Sequence, residues 1–187
     1  MLALTTSPVF LESRSNRFPL GYNGLYFQSF NLVSSATTGL PVPQVAPHSP
    51  PNYAGTGLQS ELLAGTPMIT TSYANSQTQS FSLESFYFGC VTAVSSEFSV
   101  PSQCDITVTG YSGSDNSVSN AKQVCSQRFQ YNPSTILGTQ QQAFGAIKGC
   151  NNIQFALIQF APPGGQKATG VAQSLLLDNV KFSTCSK

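Results

Sequence analysis

The chain of 187 residues has no tryptophan, one histidine (His48) and few charged residues. Charged side chains make up 8% of it, against about 25% in an average soluble domain. Since Lys and Glu favour the exposed faces of helices, their scarcity argues against a helical protein. The net charge is +1 and the basic residues form no cluster, so we expect no nucleic-acid partner. No apolar run reaches the roughly 18 residues of a transmembrane helix, so we expect no membrane partner.

Recognisable catalytic motifs are also missing. A Ser-His-Asp triad would have to use His48, which lies in a proline-rich stretch, and there is no Gly-x-Ser-x-Gly motif. Two carboxylates held about 5–10 Å apart can hydrolyse a glycoside, and Glu84 and Asp105 lie on candidate neighbouring strands. Alternation along its strand turns Glu84 towards solvent, which argues against this pair. We therefore predict no catalytic residues, and the residues leave open whether the protein is an enzyme.

The residues that are present favour β-structure, because Thr, Val, Tyr and Phe suit a pleated, half-buried surface. One short helix is predicted over 58–64, and a long proline-rich loop over about 34–57. The predicted strands cover 25–33, 68–73, 80–88, 105–111, 124–131, 144–147, 153–160 and 174–182. Strands do not alternate with helices, which favours an all-β fold: an antiparallel two-sheet β-sandwich. We see no repeat or boundary and predict one domain over 1–187.

Five cysteines are spaced poorly for a zinc site and well for two disulfides with one cysteine left over. They are Cys90, Cys104, Cys125, Cys150 and Cys185. Cys90 and Cys104 frame a polar loop between two predicted strands, so we predict that they pair. The second disulfide takes two of Cys125, Cys150 and Cys185. Disulfides persist in oxidising compartments, which predicts a secreted, extracellular protein.

Three segments together resemble a known group of proteins. They are Gly21–Phe30 (GYNGLYFQSF), Phe81–Cys90 (FSLESFYFGC) followed by Cys104–Tyr111 (CDITVTGY), and Leu177–Val180 (LDNV). Their order and spacing are similar to those of secreted proteins from filamentous fungi, most of which lack an assigned activity. The resemblance implies a jelly-roll sandwich like that of carbohydrate-binding modules, an extracellular location and a disulfide between Cys90 and Cys104.

Asp178 is the candidate metal ligand. Strand alternation places Leu176, Asp178 and Val180 on one face, so we expect Asp178 to point inward among apolar neighbours. A buried carboxylate has to be paired, hydrogen-bonded or bound to a metal. In jelly-roll carbohydrate modules an acid near the last strand often binds a structural calcium ion. The alternative, which we favour, is an Asp178 that accepts backbone N–H groups and ties down the N-terminal strand, with no cofactor.

Four tyrosines beside turns or loops are candidates for a ligand-binding surface: Tyr22, Tyr53, Tyr73 and Tyr111. Aromatic rings stack on the faces of sugar rings, although tyrosines with wet hydroxyls at the rim of a core would have the same sequence pattern. The predicted binding edge consists of the loops around 41–57, 112–120 and 161–170.

The sequence therefore predicts a secreted, non-catalytic binding or interaction protein. Its expected partner is cell-wall polysaccharide or, as for a fungal effector, a host extracellular protein. The alternative is a polysaccharide-active hydrolase or lyase that uses a carboxylate pair on a jelly-roll scaffold.

Overall fold

The computed structural model describes residues 22–34, 45–93, 99–136, 138–164 and 173–187. Helix α1 spans Leu58–Ala64, as predicted, and a 3-10 helix spans Val118–Asn120. The strands are β1 (Tyr26–Gln28), β2 (Asn31–Ser34), β3 (Val45–Ala46), β4 (Asn52–Gly57), β5 (Met68–Thr70), β6 (Thr78–Ala93), β7 (Ser99–Pro101), β8 (Cys104–Ser112), β9 (Lys122–Tyr131), β10 (Gln140–Gln141), β11 (Ala143–Ala146), β12 (Phe155–Ala161) and β13 (Gln173–Ser186). Within these ranges, no helix is long and apolar enough to cross a bilayer.

Two antiparallel sheets contain most of the strands. The front sheet has the order β1-β5-β12-β8-β9, and the back sheet has the order β11-β6-β13-β4-β2, with β7 also paired to β6. The short strands β3 and β10 form a separate parallel pair. The two sheets pack face to face, so the predicted all-β, jelly-roll-like sandwich is confirmed.

Aromatic residues fill the space between the sheets. Phe86 and Phe88 of β6 lie against Phe129 of β9, with ring centroids 5.2 and 6.0 Å apart. Ile106 and Val108 of β8 are fully buried in the same core. Burying such a side chain stabilises a fold by about 1.5–3 kcal/mol. Since side chains alternate along a strand, the residues between these core positions lie on the outer faces.

The proline-rich region is shorter as a loop than predicted. Its last six residues form β4, which pairs with both β13 and β2 inside the back sheet. Residues 35–44 lie outside the described residues. The prediction failed because glycines and preceding prolines hid the strand. Glycine suits position 55 of this strand because a larger residue would clash with β2: a Cβ atom there would lie 2.6 Å from Val33 Cγ2.

A bulge in β13 changes the predicted orientation of Asp178. Asp178 pairs with Tyr87, and Lys181 pairs with Ser85, so β13 has one more residue than β6 between these pairs. Asn179 is the extra residue of the bulge, and its φ of 46° lies in the left-handed region. The expectation that Asp178 and Val180 share a face is therefore wrong, because a bulge reverses the alternation.

The disulfide between Cys90 and Cys104 is confirmed, and it joins β6 of the back sheet to β8 of the front sheet. The second disulfide joins Cys125 of β9 to Cys150. Cys185 is free and exposed. One disulfide thus links the sheets directly, and the other fixes β9 to the segment that leads into β12.

Replacing Cys90 and Cys104 together by Ala is expected to lower the free energy of unfolding by about 3 kcal/mol, because a bridge across a loop of this length restricts the unfolded chain. Urea denaturation measures the change. Cys185→Ser, which alters an exposed free thiol, is the control and should unfold like the wild type. Equal stability of the double variant and the wild type would contradict the stapling role.

Candidate functional site

A groove with both polar and apolar side chains lies on the outer face of the front sheet. Strand pairing places Thr107 of β8 between Gln159 of β12 and Arg128 of β9. The next row places Asp105 beside Gln130. Because the intervening residues of β8 point into the core, these side chains face away from it.

The groove has a volume of about 380 Å³. It is lined by Asp105, Thr107, Arg128, Gln159, Phe160, Ala161 and Gly164. We call it the Asp105 groove. It is within the size range of small-molecule sites, and its lining combines apolar surface with a few convergent polar groups, as such sites do.

Asp105 is the buried centre of the groove, with a side chain that is 7% exposed. Its Oδ1 accepts a hydrogen bond from Gln130 Nε2 at 2.9 Å, and its Oδ2 accepts one from the backbone N–H of Gly164 at 3.0 Å. Arg128 Nη2 also donates to Oδ2. The hydrogen bonds from Gln130 and Arg128 outweigh burial and lower the pKa of Asp105.

Arg128 is held by this ion pair and is still 55% exposed. A guanidinium group has five N–H donors, so donors beyond the one that Asp105 accepts can reach a ligand. The hydroxyl of Thr107 and the amide of Gln159 add groups that both donate and accept. The groove can therefore hydrogen-bond several hydroxyl groups at once, and its two charges cancel.

Glu84 and Asp105, the carboxylate pair of the alternative hydrolase or lyase hypothesis, do not lie on neighbouring strands. Glu84 lies on β6 of the back sheet, where its Oε2 is 2.9 Å from Lys181 Nζ, whereas Asp105 lies on β8 of the front sheet. The two strands are not neighbours in a sheet, which corrects the expectation from the sequence. The lowered pKa of Asp105 also keeps it ionised, which is unfavourable for a general acid.

Asp178 is fully buried, as predicted, but on the outer side of the back sheet. The proline-rich segment covers it: the backbone N–H of Ser49 donates to Oδ2 at 2.6 Å, and that of Asn179 donates to Oδ1 at 2.7 Å. Burial raises the pKa of Asp178, and these hydrogen bonds oppose the rise. Asp178 therefore anchors residues 48–49, rather than the N-terminal strand.

The donors around Asp178 also bear on the calcium hypothesis. Both carboxylate oxygens accept N–H groups, whereas a calcium ion needs six to eight oxygen ligands around it. Within the described part of the chain, no group of three or more His, Cys, Asp and Glu side chains could hold a metal ion.

This region contains a serine, a histidine and an aspartate, as a catalytic triad does, but they do not have the geometry of a triad. The hydroxyl of Ser49 donates to Asn179 Oδ1 at 2.9 Å, and the ring of His48 stacks on Tyr87. Asp178 accepts the backbone N–H of Ser49. Among these three residues, the structure shows no chain of hydrogen bonds from hydroxyl to imidazole to carboxylate.

The four predicted tyrosines are scattered. Tyr53 is fully buried in the core, where burial raises its pKa to about 12, so it cannot be part of an exposed surface. Tyr22 is half-buried against the core, and Tyr73 is half-buried between β5 and β6. Tyr111 stacks on Phe155, with ring centroids 5.0 Å apart. It shares a sheet face with Asp105, outside the groove lining.

The sequence analysis missed Thr107, Arg128 and Gln159 as site residues. Strands are predicted over 105–111 and 124–131, and alternation along them could have placed Thr107 and Arg128 on polar faces. The register that brings β8, β9 and β12 together is a long-range property that no local pattern contains.

Asp178→Ala is expected to lower the free energy of unfolding by about 1–3 kcal/mol, because it leaves two backbone N–H groups without their acceptor. Asp115→Ala is the control, since Asp115 is an exposed turn residue that also accepts hydrogen bonds. Chemical denaturation of the two variants measures the difference. A loss no larger for Asp178→Ala than for Asp115→Ala would contradict the anchoring role.

The lowered pKa of Asp105 predicts an acid-dependent contribution to stability. Its ionised carboxylate stabilises the fold above the unfolded pKa of about 3.9, and this contribution is lost as pH falls through the folded pKa. The stability difference between wild type and Asp105→Asn should therefore shrink below about pH 4. Urea denaturation from pH 7 to pH 3 tests it, and a difference that grows towards low pH would contradict the assignment.

Comparison with known proteins supports the fold alone. The structure resembles the crystal structure of a DUF4465 family protein from Bacteroides caccae, with a TM-score of 0.50 and 11% sequence identity. The similarity covers 87% of this chain and 80% of that chain. No family model and no curated sequence matches this chain.

Proposed function

We propose that this protein is a secreted, non-catalytic carbohydrate-binding protein whose Asp105 groove binds an uncharged stretch of cell-wall polysaccharide. The observation that carries the proposal is the ion pair of Asp105 and Arg128. It holds a half-exposed guanidinium group in a groove, next to the hydroxyl of Thr107 and the amide of Gln159.

Preorganisation of Arg128 supports binding. Gln130, Gly164 and Arg128 each donate to the buried Asp105 carboxylate, so the carboxylate is fixed before a ligand arrives. Ordering a flexible side chain on binding costs about 0.5–1.5 kcal/mol. A guanidinium group that is already held by an ion pair avoids part of this cost.

The charge balance of the groove supports an uncharged ligand. Asp105 and Arg128 neutralise each other, and the remaining polar lining residues, Thr107 and Gln159, are neutral. An acidic sugar would be attracted by the charge of Arg128 and repelled by the charge of Asp105 beside it. A neutral sugar presents hydroxyl groups that match the donors and acceptors of all four residues.

An extracellular location and a polysaccharide target belong to the same proposal. Two disulfides are typical of proteins in oxidising compartments. We favour polysaccharide over a host extracellular protein because the groove is a small concave site of about 380 Å³ in which a few polar side chains converge. A stable protein interface instead buries about 800 Å² on each partner.

The groove is tested by titrating wild type and Arg128→Ala with soluble β-glucan, xylan, mannan and glycol chitin. We expect the wild type to bind at least one of them. Arg128→Ala should weaken this binding about tenfold or more, since hydrogen bonds to a charged group contribute about 1.5–3 kcal/mol each. Isothermal titration calorimetry measures the affinity.

Lys122→Ala is the matched control, because Lys122 is an exposed cation on the same strand and outside the groove. It should bind like the wild type. Equal affinities of Arg128→Ala and wild type would overturn the assignment of the groove, and wild type that binds none of the four polysaccharides would overturn the carbohydrate proposal.

A further inference from the structure

A row of side chains crosses the outer face of the back sheet. Asp178 of β13, Tyr87 of β6 and Phe144 of β11 lie directly opposite one another in the strand pairing, so they share one face. Their neighbours Phe86 and Phe88 point into the core. The row therefore faces outward, on the side of the sandwich away from the Asp105 groove.

Three rings form a continuous surface along this row. The His48 ring stacks on Tyr87 with centroids 3.5 Å apart and planes 11° apart, and Phe144 lies 5.1 Å from Tyr87 at 52°. Phe144 is 57% exposed, and His48 is also exposed. We call these residues the aromatic shelf: His48, Tyr87 and Phe144.

Hydrogen bonds hold the backbone that carries the His48 ring. The backbone N–H of His48 donates to Gln142 Oε1 at 3.0 Å, and Gln142 Nε2 donates to the carbonyl of Leu176 at 3.3 Å. The buried Asp178 holds Ser49, the next residue after His48. The backbone at His48 is thus anchored on β13, which places the His48 ring against Tyr87.

The charges near the shelf are paired. Lys181 and Glu84, which flank the row on the same sheet, form an ion pair of 2.9 Å, and Asp178 is buried below the shelf. Aromatic faces carry partial negative charge. The C–H groups on one face of a sugar ring carry partial positive charge, so the two surfaces are complementary in charge as well as in shape.

We propose that the aromatic shelf is a second saccharide-binding surface, which stacks on the C–H face of a sugar ring. It lies on the outer face of the back sheet, whereas the Asp105 groove lies on the outer face of the front sheet, and the backbones of two packed sheets are about 10 Å apart. The two surfaces face in opposite directions, so the protein can bridge two polysaccharide chains. The bridging rests on the proposed function of the groove, whereas stacking on the shelf does not.

The test measures stoichiometry and cross-linking with the same four polysaccharides. Wild type should precipitate at least one of them, with turbidity that peaks at intermediate protein-to-polymer ratios. Phe144→Ala should lose the turbidity and weaken binding at the shelf by at least about fivefold, because it removes the exposed ring. Phe144→Trp should restore both, since it supplies a larger ring at the same position.

Ile136→Ala is the matched control, because Ile136 is an apolar residue of similar exposure outside the shelf. It should behave as wild type, and urea denaturation should show that Phe144→Ala folds normally. Calorimetry should resolve two classes of site in the wild type. Phe144→Ala should weaken one class, Arg128→Ala should weaken the other, and the double variant should be weakened at both.

The outcomes separate the two proposals. If Phe144→Ala keeps the wild-type turbidity and the wild-type affinity of both classes of site, the shelf is not a saccharide surface, whatever Arg128→Ala does. If Arg128→Ala keeps wild-type affinity while Phe144→Ala loses all binding, the shelf proposal stands and the groove proposal fails.

Discussion

The antiparallel pairing of β6 with β13 is the contact on which the rest of this structure depends. It joins twelve positions along the two longest strands of the described residues, and β6 also pairs with β7 and β11. One face of β6 supplies Phe86, Phe88 and Cys90 to the core and to the disulfide between the sheets. Its other face supplies Tyr87 to the aromatic shelf. A change in the register of this pair would turn core residues outward and surface residues inward.

The polar side chains of the outer faces follow from the same alternation of side chains along each strand. The core takes the apolar residues of β8, and the remaining positions of that strand place Asp105 and Thr107 on the opposite face. A chain with so few charges uses hydroxyl and amide groups there. Among the described residues, one ion pair lies in the groove and one lies beside the shelf, and the two charges within each pair cancel. This suits uncharged, hydroxyl-rich ligands, which are bound by hydrogen bonds and by ring stacking instead of by charge.

Local patterns in the sequence predicted the long strands β6, β8, β9, β12 and β13, the helix Leu58–Ala64 and the disulfide between Cys90 and Cys104. The single strand predicted over 25–33 is wrong, because this run forms β1 and β2, which lie in different sheets. Local patterns did not predict β4, whose glycines are typical of loops and are used here for close strand packing. They placed Asp178 on the wrong face, because the bulge at Asn179 cannot be seen in an alternating pattern. They placed Tyr53 at the surface although it is buried. The groove needs the register of β9, β8 and β12, which only the folded chain defines.

The most direct test of the central claim is a map of the ligand contact by nuclear magnetic resonance. The protein would be labelled with nitrogen-15 and titrated with short oligosaccharides of a polysaccharide that it binds. The account predicts that the backbone amide signals of Thr107, Arg128 and Gln159 shift together and saturate with one affinity. Ligand-induced shifts that leave these three residues unchanged would contradict it, since the ligand would then bind elsewhere on the sandwich.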